Sequence, residues 1–167
     1  MALPDRMLLF PLTNQQSRLL FEYDTGNAVI TMMYDSGAQI PVWCTGEDVL
    51  SSAYPDAVRT DYYCLVSGFG KDAEKSPIFI IPRFQLSDSI HSYTIRNLYI
   101  AALMKPSIGC DLLISETMLS KTDTTIIRRG ERSLRIDFSD LDRDYQCTAL
   151  RREKDLRGIA VWTEIET

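Results

Sequence analysis

Histidine occurs once in the 167 residues, as His91. A histidine-rich metal centre is therefore excluded, and a Ser-His-Asp triad would have to be built around a residue without nucleophile-elbow context. The four cysteines, Cys44, Cys64, Cys110 and Cys147, are far apart and none forms a CxxC pair. Such spacing in a chain of this size reads as buried thiols rather than a disulfide framework or a zinc site. Long apolar runs are lacking too. The stretch after Met1-Ala2-Leu3-Pro4 ends near Leu12, too short for a secretory h-region or a membrane span, so a cytoplasmic setting with no membrane partner is expected. Positive charge is in the minority, with 18 Lys and Arg against 23 Asp and Glu and a formal charge of -5. Glu131 interrupts the one cluster, Arg128, Arg129 and Arg132, so nucleic acid is not expected as a partner. Gly70-Lys71-Asp72 lacks the GK[ST] ending of a phosphate loop.

What is present describes a globular domain: 45% hydrophobic and 25% charged residues, enough to bury a core without disulfides. Short apolar segments separated by turn residues dominate. Arg18 to Tyr23 and Ala28 to Tyr34 read as a hairpin across Asp24-Thr25-Gly26-Asn27. Gln39 to Cys44 reads as extended, and Thr45-Gly46-Glu47-Asp48 as a helix start capped by Thr45, ending before Pro55. Further strands are expected at Tyr62 to Ser67, Ile78 to Leu86, Tyr93 to Leu103, Thr124 to Ile127 and Ser133 to Phe138. Pro82 argues for an edge position or a bulge. Asp111 to Leu119 has the apolar spacing of a short amphipathic helix. Tyr145 to Leu150 and Ile159 to Ile165 are candidates to pair across Arg151 to Arg157, where helix is also compatible. The expected class is all-β, a partly closed barrel or sandwich with one or two short helices. Residues 1–138 would form the domain and 139–167 a C-terminal extension.

One constellation carries chemistry. Asp35 directly follows the apolar strand Ala28 to Tyr34, and Ser36-Gly37-Ala38 gives a compact turn after it. A strand end holds a carboxylate rigidly, Gly37 permits close backbone approach, and the Ser36 hydroxyl can donate to the acid. An ordinary turn aspartate is the competing explanation. Asp24-Thr25-Gly26 has the same pattern, but eleven positions from Asp35 leave no room for two equivalent lobes. Asp24 is therefore assigned to the hairpin turn.

The loop Asp35-Ser36-Gly37-Ala38 resembles the Asp-Thr/Ser-Gly-Ala loop of the retropepsin-like aspartic proteases. Ser67-Gly68-Phe69-Gly70 is similar to their glycine-rich flap, and Ile108-Gly109 before Cys110-Asp111-Leu112-Leu113-Ile114 to their apolar-Gly signal ahead of a short helix. The resemblance spans roughly Arg18 to Phe138. It implies a homodimer in which two copies of Asp35 form the catalytic dyad, with Ser36 and Gly37 in the catalytic loop. Ala38, Gly68, Phe69 and Gly70 would meet an extended peptide or protein substrate, and Ile108, Gly109 and Asp111 would support the site. No metal or other cofactor is implied. Cys110 departs from the arginine found there in many viral members. Each signal has a plainer alternative: Gly68-Phe69-Gly70 as a flexible turn, Gly109 as a turn before a helix, Asp111 as a simple N-cap. The rival function is a non-catalytic peptide-binding or assembly module on a protease-like β fold.

Overall fold

A computed structural model describes residues 7–13, 18–35, 38, 40–68, 71–88, 91–104, 109–119, 123–127, 132–137, 144–145, 150–154 and 160–164. In chain order these form β1 (Met7–Pro11), β2 (Leu20–Asp24), β3 (Val29–Asp35), β4 (Val42–Trp43), helix α1 (Glu47–Ala53), β5 (Val58–Gly68), β6 (Lys71–Ser87) and β7 (Ser92–Ala102). After these come β8 (Leu112–Ser115), a 3-10 turn (Glu116–Leu119), β9 (Asp123–Ile127), β10 (Ser133–Asp137), β11 (Asp144–Tyr145), β12 (Leu150–Lys154) and β13 (Ala160–Glu164). The fold is thus mostly β, with one α-helix among the described residues.

The main sheet has the order β2-β3-β8-β4-β7-β6-β5, with β11 added beside β7. A second sheet pairs β1, β10 and β9, and β12 pairs with β13. The β2–β3 hairpin is antiparallel, whereas β3 and β8 run parallel. A parallel partner requires a long crossover, and here the chain makes β4, α1, β5, β6 and β7 before β8 returns to β3.

Side chains on both faces of this sheet are buried. Ile30 and Met32 belong to the larger core cluster with Phe10, Phe21, Trp43 and Ile114. Met33 packs against the smaller one, built from Leu20, Val42, Cys44, Cys64, Cys110 and Leu113 among others. Trp43 is fully buried and its indole N–H donates to the Gly46 carbonyl at 2.9 Å, so the largest apolar side chain is buried without an orphaned donor. Phe10 stacks on Phe21 at 4.6 Å between ring centroids, tying the second sheet to the first.

The structure corrects three sequence expectations. Leu112 to Ser115 is a strand, and only Glu116–Leu119 turns helically. All four strand residues are buried, all pair with β3 on one side, and Leu112 and Leu113 pair with β4 on the other. An apolar run buried on both faces loses the period that distinguishes strand from helix. Thr45 does not cap α1. Gly46 holds that position with φ 102° and no side-chain cap bond, while the Thr45 hydroxyl donates to Asp111 Oδ1 at 2.7 Å. Pro82 lies inside β6, but past the last β5 pairing at Val58↔Ile80. The β6–β7 register there runs from Ile81↔Leu98 to Arg83↔Arg96, and Asn97 takes a positive φ of 54°. The C-terminal hairpin begins at Leu150 rather than Tyr145, with Leu150↔Glu164 as its first pair.

Candidate active site

The hairpin that carries Asp35 is set at its far end by Asp24. The Asp24 carboxylate accepts the Gly26 N–H at 2.8 Å, Gly26 takes φ 91°, and Thr25 N–H reaches the Ala28 carbonyl at 2.9 Å. The Thr25 hydroxyl also donates to the Ala53 carbonyl at 2.9 Å, fastening the turn to the end of α1. Asp24 is a turn residue, as the spacing indicated. The length of β3, about 20 Å at the usual strand rise, separates it from Asp35.

Asp35 is the last residue of β3, half-buried, and pairs in parallel register with Ser115 of β8. A tight turn begins immediately: the Ala38 N–H donates to the Asp35 carbonyl at 3.1 Å. Ala38 packs against the smaller core cluster. Ser36 and Gly37 lie outside the described residues, as do Phe69, Gly70 and Ile108. Gly68 ends β5 opposite Lys71, the first residue of β6. In strand order that hairpin lies at the opposite end of the main sheet from β2 and β3.

Support comes from Asp111. Its Oδ2 accepts the Thr31 N–H at 2.8 Å and its Oδ1 the Thr45 hydroxyl at 2.7 Å. Its own N–H donates to the Thr31 carbonyl at 2.8 Å, and its carbonyl accepts the Cys44 N–H at 2.8 Å. One residue thus ties β3, the segment after β4 and the approach to β8. Of the two roles open to it, bracing is the observed one, since a strand and not a helix follows. Gly109 is exposed, with the Arg18 Nη1 atom 3.3 Å from where a β-carbon would stand.

Ser115 was not singled out from sequence. It is fully buried, stands beside Asp35, and its hydroxyl accepts the Met118 N–H at 3.4 Å. The apolar-then-small pair directly before the short helical turn is therefore Ile114-Ser115, not Ile108-Gly109. A glycine draws the eye where a serine does not, and the short helical turn after it was the available signal. Tyr34 and Glu116 complete the surroundings. Burial raises the Tyr34 phenol above its ordinary value, and the Glu116 and Asp35 carboxylates add to the effect.

Among the described residues no group of three or more His, Cys, Asp or Glu is placed to hold a metal ion. No helix among them is long and apolar enough to cross a membrane. No protein-family model matches the chain. No curated protein matches it either. The chain is similar in structure to a retropepsin-like aspartic protease from Rickettsia conorii, at 13% sequence identity and a TM-score of 0.49, over 79% of this chain and 90% of that one.

Proposed function

We propose that the protein is an aspartic endopeptidase whose dyad is made by Asp35 from each of two subunits. The observation that carries this reading is the placement of Asp35, half-buried at the end of a strand anchored in the core by Ile30 and Met32, beside the fully buried Ser115, with the Ala38 N–H returning to its carbonyl. A rigid strand end is the kind of support a catalytic carboxylate requires. Each chain supplies one such acid, because Asp24 is committed to its turn, so a twofold dimer is part of the mechanism. The protease unit would occupy residues 1–138, with 139–167 dressing it.

In this mechanism one Asp35 carboxylate takes a proton from water, which attacks the peptide carbonyl carbon. The protonated partner carboxyl donates to the carbonyl oxygen. The tetrahedral diol then collapses, the C–N bond breaks, and a proton passes to the departing amine. Two like charges held together resist double ionisation, which divides the acid and base roles between identical residues. Gly68, Phe69 and Gly70 would close over the substrate and exclude water. Ser36 and Gly37 would shape the loop around the acid.

The test is turnover of an unbiased peptide mixture by the intact chain and by Asp35→Asn, with the association state followed by analytical ultracentrifugation. Cleavage by the dimer alone, abolished by the substitution, is the expected result. Equal cleavage by both chains overturns the assignment, and a folded dimer that binds peptide without cleaving it selects the non-catalytic alternative.

A further inference from the structure

Cys44 and Cys110 form a thiol pair outside the Asp35 loop. Cys44 directly follows β4, and Cys110 lies between exposed Gly109 and Asp111. Their backbones are held together by the Cys44 N–H bond to the Asp111 carbonyl at 2.8 Å. Both side chains sit in the same small core cluster, 0% and 3% exposed, both are free thiols, and the two are near enough for each to perturb the other's proton affinity, while the Cys44 thiol donates to the Val42 carbonyl at 3.8 Å. Neighbouring thiols on anchored backbone need little movement to reach bonding geometry.

We infer that Cys44 and Cys110 are a reversible thiol–disulfide pair, closed by a peroxide or a small disulfide oxidant into a covalent link between the segment before α1 and the turn before β8. The inference is independent of the protease reading.

The two sulfurs differ in position: Cys110 lies directly beside exposed Gly109, one residue from solvent, whereas Cys44 is wholly enclosed. Cys110 is therefore the sulfur an oxidant meets first. Interaction with the neighbouring thiol draws Cys110 below its ordinary value against the effect of burial, in keeping with that order. The Cys110 thiolate attacks a peroxide oxygen, the O–O bond breaks, and the departing hydroxide takes up the proton that the thiol released and leaves as water, giving a sulfenic acid. The Cys44 sulfur then attacks the Cys110 sulfur. The S–O bond breaks, hydroxide takes the Cys44 proton, and a second water leaves. Two electrons pass from the thiols to the peroxide, and two external thiols restore the pair. Cys64 shares the cluster but is pushed up to about 12 by burial, so it stays neutral near pH 7 and serves as an internal comparison.

The experiment treats the reduced full-length protein with hydrogen peroxide and, separately, with oxidised glutathione, followed by non-reducing peptide mapping and thermal melts. One cross-linked peptide pair joining Cys44 to Cys110 is expected. It should be cleared by dithiothreitol, preserved in Cys64→Ser and absent in Cys44→Ser, with a higher Tm in the oxidised protein because the link closes a long loop. The inference is overturned if those thiols stay free or are capped singly, if the bond joins Cys64 or Cys147 instead, or if it forms only in denaturant. A Tm that fails to rise overturns it as well. Should Cys44→Ser fail to fold, the map of the unmodified sequence decides alone.

Discussion

Asp111 binds Thr31 twice, its carboxylate accepting the Thr31 N–H and its own N–H donating to the Thr31 carbonyl, each at 2.8 Å. The contact joins positions far apart in the chain and lies four residues upstream of Asp35 on the same strand. It occurs just before the β3–β8 register begins at Met32↔Leu112, so one backbone bond and one carboxylate bond together extend that ladder by a residue.

Removal of that carboxylate leaves the Thr31 N–H and the Thr45 hydroxyl without their acceptor. Asp111→Ala is expected to lower unfolding free energy by about 3 kcal/mol, the scale for losing hydrogen bonds to a charged group. Thr45→Val should cost about 1 kcal/mol, the scale of a single bond. Urea denaturation of the three proteins checks both values, and equal losses would show that the Thr45 arm dominates.

The two Asp-[Ser/Thr]-Gly triplets should separate cleanly. Asp35→Asn is expected to abolish peptide turnover while leaving the fold intact. Asp24→Asn keeps an acceptor for the Gly26 N–H and should retain full turnover with a stability change within about 0.5 kcal/mol. Circular dichroism and initial rates on one peptide make the comparison. Inactivity of the Asp24 variant with activity of the Asp35 variant would reverse the assignment.

Two glycines should respond oppositely to alanine. Gly46 has φ 102° with nothing within 4 Å of an added β-carbon, so the backbone conformation itself is the obstacle. Gly46→Ala is expected to cost about 1–2 kcal/mol. At Gly109 an added carbon meets only the end of the Arg18 side chain, at 3.3 Å, which can move. Gly109→Ala should stay within about 0.5 kcal/mol. A large loss at Gly109 in chemical denaturation would mean that this turn is packed more tightly than its exposure indicates.

Cys64 predicts a pH dependence. Burial pushes its thiol from an ordinary 9.0 up to about 12, so the folded state holds the proton after the unfolded state has lost it. That stabilisation is complete below pH 9 and is lost as pH rises toward 12. Between pH 9 and 11 the unmodified protein should lose about 2 kcal/mol more than Cys64→Ala. Parallel denaturation curves at the two pH values measure the difference, and identical losses would place the thiol in contact with solvent.

The hairpin from Leu20 to Asp35 was legible because its information is local. An Asx turn at Asp24, a glycine at positive φ and an apolar run each act within a few residues. Pro55 likewise marks where α1 has already ended, at Ala53. Asp35 stood out as a candidate for the same reason, being a carboxylate at the end of a recognisable strand. The failures involve partners distant in sequence. Thr45 had a suitable position for capping, but the Asp111 carboxylate draws its hydroxyl away. Leu112, Leu113 and Ile114 carry no alternation because the strand they form is buried on both faces beside β3, with β4 flanking the first two. Ser115 gains its place beside Asp35 only through that parallel pairing, and nothing about an isolated serine announces it.

The parallel union of β3 with β8 also sets an order of events during synthesis. Asp35 leaves the ribosome eighty residues before Ser115, its partner in register. At ordinary elongation rates that gap lasts roughly 4–16 s, far longer than a hairpin needs to form. Through this interval the edge of β3 carrying Met32 and Met33 has β2 on one side and no strand on the other. Such an edge is a template for pairing with a neighbouring chain, so the nascent protein passes through a stage at which chaperone cover matters most, and that stage ends when β8 emerges.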